Sequence, residues 1–255
     1  LSMPGGLIVT QGIEQVIRTL VAPFRYTEDV DDLPIPFRAV AADMVAGEAV
    51  VLESGDISEA MRASMALPGV FSPVTLDDKV LSDGGMMRNL PVDIGRELCG
   101  EVVIAVWMSS PPAEAADLSS ALSLVGRSID VMIGANERAA IASLTPRDVG
   151  IDVPMGDIGT SDFQRVPEAV ELGRRAAESM SEQLSRYSVS EAEYTAWLDS
   201  LRRTRAPETR LADVRIVGTD RVNPDYVRAQ LAPSSPAAVV TPETIAEDTE
   251  RAYAL

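Results

Sequence analysis

The residue pattern with the clearest chemical potential is the run 80–85, Val-Leu-Ser-Asp-Gly-Gly. An aspartate that ends a short apolar strand and precedes two glycines leaves its carboxylate reachable beside permissive backbone. A general base needs such a placement, with a rigid support, access to substrate and partial removal from water. Asp83 is therefore a candidate base. Asp-Gly is also a common turn dipeptide, so these residues alone leave a plain turn open as the alternative.

The composition restricts the partners that Asp83 can have. The 255 residues contain no histidine and one cysteine, so this chain cannot build a Ser-His-Asp triad or a papain-like Cys-His pair. A histidine-ligated or multi-cysteine zinc site is excluded for the same reason. Residues 28–32 are acidic, but we expect a solvated turn there, with a metal site as the alternative. The sequence predicts no cofactor and no metal.

Charge and hydrophobicity limit the classes of ligand. The chain carries 39 acidic and 22 basic side chains, a formal net charge of −17, and 46% of its residues are hydrophobic. Such a chain is a poor ligand for nucleic acid, because few cations can displace counterions from phosphates. Contact with lipid would have to come through an apolar patch. No apolar run approaches the roughly 20 residues that span a bilayer.

A serine nucleophile held on a strand-to-helix turn would show as Gly-x-Ser-x-Gly, and the chain contains no such motif. The nearest match is the run 159–163, Gly-Thr-Ser-Asp-Phe. It lacks the second glycine, and no apolar strand leads directly into it. We interpret Ser161 or Asp162 as a helix cap or loop residue.

Hydrophobic periodicity places these residues on an alternation of strands and helices. The predicted elements are a helix at 13–21, strands at 35–44 and 48–53, a helix at 57–66, strands at 80–81 and 102–107, and helices at 117–143, 166–185 and 190–205. The continuous apolar run 102–107 is typical of a strand covered on both faces. This alternation predicts an α/β sandwich.

Two flanking segments change the interpretation of Asp83. Upstream, residues 62–73 read Arg-Ala-Ser-Met-Ala-Leu-Pro-Gly-Val-Phe-Ser-Pro; downstream, residues 89–92 read Asn-Leu-Pro-Val. In this order and spacing they resemble the region around the catalytic aspartate of bacterial patatin-like phospholipases, and the resemblance covers roughly residues 7–187. It implies a three-layer α/β/α sandwich, incomplete at its N-terminal side. It also implies a Ser-Asp dyad in which Asp83 is the general base, with Gly84 and Gly85 as backbone supports.

In that family the glycine-rich oxyanion loop and the serine elbow precede this region, and neither is present here. The resemblance therefore implies a lipolytic acyl hydrolase of the phospholipase A type whose serine lies outside this chain. Its partners would be a phospholipid or other lipid ester and the missing N-terminal segment of the same protein. The alternative is a non-catalytic protein that keeps the patatin fold for binding or scaffolding.

The C-terminal residues carry a second resemblance. An alternating strand at 213–218, a helix from Asn223-Pro224 through Leu231 and a helix from Thr241-Pro242 resemble the opening of a POTRA domain. The alternative is an unrelated small α+β tail. The expected organisation is a hydrolase portion at 1–187, a connecting helix and linker at 188–210, and a partial POTRA-like unit at 211–255.

Together the two resemblances imply a type V secreted phospholipase. The protein would then be secreted or outer-membrane-associated in a Gram-negative bacterium, with a cytoplasmic location as the alternative. The sequence leaves room for a homo-oligomer.

Overall fold

The structure is a computed structural model of the 255-residue chain. It describes residues 11–21, 24, 29–159, 162–203, 209–210, 213–216, 223–231, 239–241, 244, 247–248 and 251–252. These residues form a mixed α/β fold, and the chain divides into two compact units. Unit 1 draws on Leu1–Ala39, Val51–Ser82 and Thr195–Leu255, and unit 2 on Val40–Val50 and Asp83–Tyr194.

A helix or strand occurs at each position predicted up to residue 205, with shorter bounds at most ends, whereas the elements at 74–76, 85–88, 92–99 and 149–154 were not predicted. The helices and strands are α1 (Gln11–Val21), β1 (Ala39–Asp43), β2 (Glu48–Leu52), α2 (Ile57–Ser64), β3 (Val74–Leu76), β4 (Lys79–Asp83), α3 (Gly85–Arg88), α4 (Val92–Cys99), β5 (Ile104–Ser109), α5 (Ala121–Ala142), β6 (Val149–Pro154), α6 (Val166–Ser179), α7 (Ser181–Leu184), α8 (Glu191–Arg203), β7 (Thr209–Arg210), α9 (Pro224–Gln230) and β8 (Val239–Val240).

Unit 1 is organised around a small apolar cluster and a hairpin. Val30, Leu33 and Ile57 are buried together at the start of α2. Asp56 caps this helix, accepting a 2.8 Å hydrogen bond from the backbone N–H of Ser58. β3 and β4 pair antiparallel, with Val74 opposite Leu81 and Leu76 opposite Lys79. The two residues between them, Asp77 and Asp78, both have positive φ, which matches the right-handed twist of a tight hairpin.

Unit 2 contains a parallel strand pair joined by a long helix. β5 and β6 run in parallel, from Ile104 opposite Val149 to Ser109 opposite Pro154. Parallel neighbours need a crossover connection, and α5 is the helix in that connection. One face of β6 packs against α6, where alternate residues of the strand form the core. That core consists of Val149, Ile151, Val153, Met155 and Ile158.

The buried carboxylate of Asp148 connects the segments that precede the two strands through hydrogen bonds. The side chain of Asp148 is fully buried, and its Oδ2 lies 2.7 Å from Arg96 Nη2 on α4. Its Oδ1 accepts a 2.9 Å hydrogen bond from the N–H of Val103, just before β5. The N–H and hydroxyl of Thr145 donate to Oδ2 at 2.7 and 2.8 Å. Hydrogen bonds from Arg96, and then from the backbone of Thr145 and Val103, hold the pKa of Asp148 well below its usual range.

The structure corrects two predictions about strands. β5 is not covered on both faces, since Ile104, Val106 and Met108 are more than half exposed. Side chains of a strand alternate between faces, and these three alternate residues share one face. Residues 213–216 form no strand, because they have no strand partner among the described residues. The carbonyl of Val214 instead accepts a hydrogen bond from Arg228.

Other predicted features near the C-terminus are present. At the start of α8, Ser190 and Glu193 exchange hydrogen bonds in a capping box, which the spacing of a serine and a glutamate three residues later predicts. Asn223 caps α9 by accepting from the N–H of Asp225. The short pairing of β7 with β8 was not predicted. The boundaries at 187–188 and 210–211 and the POTRA-like unit stay predictions, and the latter part of the 213–218 strand lies outside the described residues.

Candidate functional site

The candidate site begins at the end of β4, where two buried residues fix the backbone before Asp83. Leu81 is fully buried in β4. Ser82 is buried as well, and its hydroxyl donates a 2.7 Å hydrogen bond to the carbonyl of Ala66, just after α2. A buried hydroxyl with a partner carries little desolvation cost. The residue that presents the carboxylate therefore follows a firmly held strand.

Asp83 is half-buried, and its carboxylate accepts a 2.7 Å hydrogen bond from the N–H of Gly85 through Oδ1. Burial raises the pKa of Asp83, and the hydrogen bond from Gly85 offsets part of that rise. Removal from water disfavours the charged form of a carboxyl group. The result is a carboxylate that takes up a proton more readily than an exposed aspartate, which suits a general base.

The two glycines after Asp83 both lie close to other groups of unit 2. Gly84 has helical dihedral angles, φ −64° and ψ −22°, which any residue can adopt. A Cβ on Gly84 would lie 2.0 Å from the carbonyl oxygen of Val40, at the start of β1. A Cβ on Gly85 would lie 2.9 Å from Asp83 Oδ1 and 2.8 Å from Asn89 Oδ1. The absence of a side chain on Gly84 thus allows the backbone of β1 to pack against it, and its absence on Gly85 leaves room for the side-chain oxygens of Asp83 and Asn89.

Helix α5 contacts the turn that carries Asp83. The side-chain amide of Asn136 donates to the carbonyls of Gly85 and Met86 at 3.0 and 3.2 Å, and its oxygen accepts from the N–H of Asn89 at 3.0 Å. Glu137 Oε2 accepts a 2.6 Å hydrogen bond from the side-chain amide of Asn89. Sequence analysis placed Asn89 in the motif but missed Asn136 and Glu137, because nothing in the helical pattern of 117–143 distinguishes them.

The upstream motif, residues 62–73, contains a buried arginine. Arg62 is only 5% exposed, and its guanidinium lies 5.5 Å from the centroid of the Phe71 ring. Its Nη2 donates a 2.8 Å hydrogen bond to the carbonyl of Ser72, and its Nε lies 3.4 Å from Glu14 on α1. Arg62 therefore ties α2 to the loop that leads into β3. Within unit 1 it also lines a cavity of about 110 Å³ together with Arg18 and Glu59.

The remaining predicted positions that the structure describes show no second catalytic group. Asp162 lies in a loop and accepts a hydrogen bond from the N–H of Gly159 at 2.8 Å, as the interpretation of this segment expected. Ser161 lies outside the described residues. In the acidic segment 28–32, Val30–Asp32 forms a short 3-10 helix. Across the described part of the chain, no three carboxylate or thiol side chains gather in a group that could hold a metal ion.

A comparison with protein families identifies the segment that contains Asp83. Residues 2–95 match the model of the family described as patatin-like phospholipase. This segment is therefore similar to patatin-like phospholipases, and we call residues 2–95 the patatin-like segment. It includes the 62–73 motif, Asp83 and both glycines, whereas α5 lies beyond it.

Individual proteins are also similar to this chain. An uncharacterized NTE family protein of Mycobacterium tuberculosis is 34% identical over 108 residues, which cover 42% of this chain and 29% of the relative. A second NTE family protein of the same species is 30% identical over 172 residues, covering 58% of this chain and 29% of the relative. Mouse patatin-like phospholipase domain-containing protein 7 is 36% identical over 83 residues, covering 32% of this chain and 6% of the relative. The chain thus spans less than a third of the length of these relatives.

Among the helices that the structure describes, none combines the length and apolarity needed to cross a bilayer.

Proposed function

We propose that the protein containing this chain is a lipolytic acyl hydrolase, with phospholipase A-type ester hydrolysis carried out by a Ser-Asp dyad. The observation that supports this most strongly is the half-buried carboxylate of Asp83, whose pKa burial raises, at the end of a strand inside the patatin-like segment. A carboxylate in that condition can accept a proton without a histidine intermediary.

In the proposed reaction, Asp83 moves one proton in each half of the cycle. As a serine oxygen attacks the ester carbonyl carbon, the carboxylate of Asp83 takes the hydroxyl proton. It then gives that proton to the departing alcohol, which leaves an acyl-enzyme. A water molecule repeats the attack with Asp83 as its base. The fatty acid is released, the serine recovers its proton, and the carboxylate is free again.

We further propose that the attacking serine lies outside these 255 residues. The chain has no Gly-x-Ser-x-Gly motif, and it covers only 29% of the length of its mycobacterial relatives. Segments of the same protein beyond this chain would supply the nucleophile and the oxyanion donors, and would complete a three-layer α/β/α sandwich. The exposed face of β5, with Ile104, Val106 and Met108, is compatible with a further layer there.

Location and assembly remain separate proposals. Secretion through a type V route, with residues 211–255 as a partial POTRA-like unit, would place the protein outside the cell or at the outer membrane. A cytoplasmic location is the alternative, and fractionation of the native organism distinguishes them. Light scattering on the purified protein tests for a homo-oligomer.

The experiment that tests the function is hydrolysis of p-nitrophenyl esters and phospholipid vesicles by the intact protein and its Asp83→Asn variant. We expect kcat/KM to fall about 10²- to 10⁴-fold, the usual contribution of a positioned base. The fold should persist, because an amide oxygen can still accept the hydrogen bond from Gly85. Near-normal turnover by the variant would reject the dyad. An intact wild-type protein without hydrolytic activity would instead favour a binding or scaffold role.

A further inference from the structure

Asn136 on α5 connects a helix beyond the patatin-like segment to the turn that carries Asp83. Its side chain contacts three backbone groups of that turn, the carbonyls of Gly85 and Met86 and the N–H of Asn89. A carboxamide offers two N–H donors and one carbonyl acceptor. These three contacts use both kinds of group, which neither an aspartate nor a leucine could do at this position.

Gly85 is held through both of its backbone polar groups. Its N–H donates to Asp83 Oδ1 at 2.7 Å, and its carbonyl accepts from Asn136 Nδ2 at 3.0 Å. The orientation of the residue that donates to Asp83 is therefore set from α5. A hydrogen bond to a charged acceptor is strong only when its geometry is good, so loss of Asn136 would loosen the contact that orients the carboxylate.

A second contact from the same helix acts on the other side of Gly85. Glu137 Oε2 holds the side-chain amide of Asn89 at 2.6 Å, and Asn89 Oδ1 lies 2.8 Å from where a Cβ on Gly85 would be. Asp83 Oδ1 is close to the same point, at 2.9 Å. Gly85 is thus bordered by the carboxylate on one side and by an amide fixed from α5 on the other.

We propose that Asn136, supported by Glu137, is a positioning residue for the general base Asp83. This inference rests on the proposed function. It adds a role for α5, which lies outside the matched segment 2–95. Among the described residues, no charged side chain hydrogen-bonds Asp83: Arg88 pairs with Asp93 at 3.0 Å, and Glu137 contacts Asn89. Positioning therefore works through backbone geometry.

The test compares Asn136→Leu and Asn136→Asp in the intact protein, with Ser128→Ala as the matched control. Ser128 lies on the same helix, is exposed, and donates only to the carbonyl of Leu124 among the described residues. We expect kcat to fall about tenfold to 100-fold in both Asn136 variants, the usual cost of a small misplacement, with KM changed less than about twofold. The control should behave as wild type.

The pH profile of kcat/KM separates positioning from a merely structural role. The hydrogen bond from Gly85 lowers the pKa of Asp83, so weakening it should move the acid limb to higher pH in both variants. The shift should be larger for Asn136→Asp, because a second negative charge also disfavours ionisation of Asp83. An unchanged kcat and acid limb in a folded Asn136 variant would overturn the proposal.

Two further comparisons keep the outcome decisive. Asp83→Asn is assayed alongside: if it retains activity, the dyad fails, whereas if it is inactive and the Asn136 variants are normal, only the role of Asn136 fails. Aspartate is nearly isosteric with asparagine, so Asn136→Asp can be assayed even if Asn136→Leu does not fold. If neither variant folds, Asn136 is a structural residue and the proposal is rejected.

Discussion

Asp83 and Asp148 both lie in unit 2 beside strands, and their surroundings shift their pKa values in opposite directions. Asp83 is half-buried with one hydrogen bond from backbone among the described residues, and burial raises its pKa. The side chain of Asp148 is fully buried and accepts from Arg96, Thr145 and Val103, and its pKa is lowered. The hydrogen-bond donors, Arg96 first among them, decide the difference, because desolvation acts on both carboxyl groups. A carboxylate that accepts several hydrogen bonds stabilises the fold, whereas a carboxylate that accepts only one can still accept a proton during a reaction.

The largest effect should come from the backbone beneath Asp83. Gly84→Ala would bring a Cβ to 2.0 Å from the Val40 carbonyl, and overpacking of that kind destabilises by about 3 kcal/mol or more. Gly85→Ala meets only side-chain oxygens at 2.8 and 2.9 Å, which can move. We expect Gly84→Ala to be recovered poorly, or to melt far below wild type, and Gly85→Ala to fold with reduced activity. Circular dichroism melting and ester hydrolysis distinguish the two, and equal stability of both variants would contradict the close-packing account.

A smaller loss of stability should follow from Asp148→Asn. The amide cannot accept all the hydrogen bonds that the carboxylate accepts, and buried donors left without a partner are costly. We expect the melting temperature at pH 7 to fall by several degrees, with Asp83→Asn as the control that melts at or above the wild-type temperature. That control follows because an amide avoids the cost of burying a charge. A reversed order of the two melting temperatures would contradict the comparison of the two carboxylates.

The lowered pKa of Asp148 predicts how the stability of the folded protein changes with pH. The pKa of Asp148 is lower in the folded protein than in the unfolded chain. Its stabilisation is therefore complete above about pH 5 and is lost progressively as the pH falls through the ordinary aspartate range toward the folded value. Wild type should lose melting temperature across that acid range more steeply than Asp148→Asn does. Parallel curves for the two proteins would show that Asp148 contributes no such linkage.

The sequence predicted those elements whose structure depends mainly on neighbouring residues. The strand that leads to Asp83, the helices α1, α2 and α9, and the capping box of α8 were all predicted from spacing and capping residues. For the two glycines the sequence indicates conformational freedom, and it cannot show that the backbone of Val40 lies against Gly84. Dihedral preference is local, whereas close approach depends on a segment more than 40 residues earlier.

Long-range contacts explain the other failures. Asn136 lies 51 residues after Gly85, so no motif around Asp83 could reveal the hydrogen bond between them. The strand predicted at 213–218 had a suitable alternating pattern, but a strand also needs a partner, and the described residues 213–216 have none. The apolar run of β5 predicts burial on both faces, yet whether a second face is covered depends on what packs there.

The central claim is that Asp83 activates a serine, and covalent labelling of the intact protein with a fluorophosphonate tests it most directly. This reagent bonds to an activated serine oxygen, so its labelling rate reports activation without a full catalytic cycle. We predict a labelled serine outside these 255 residues, labelling about 10²-fold slower or more in Asp83→Asn, and a near-normal rate in folded Asp148→Asn. Undiminished labelling of Asp83→Asn, or a label mapped by mass spectrometry to a serine within this chain, would contradict the account.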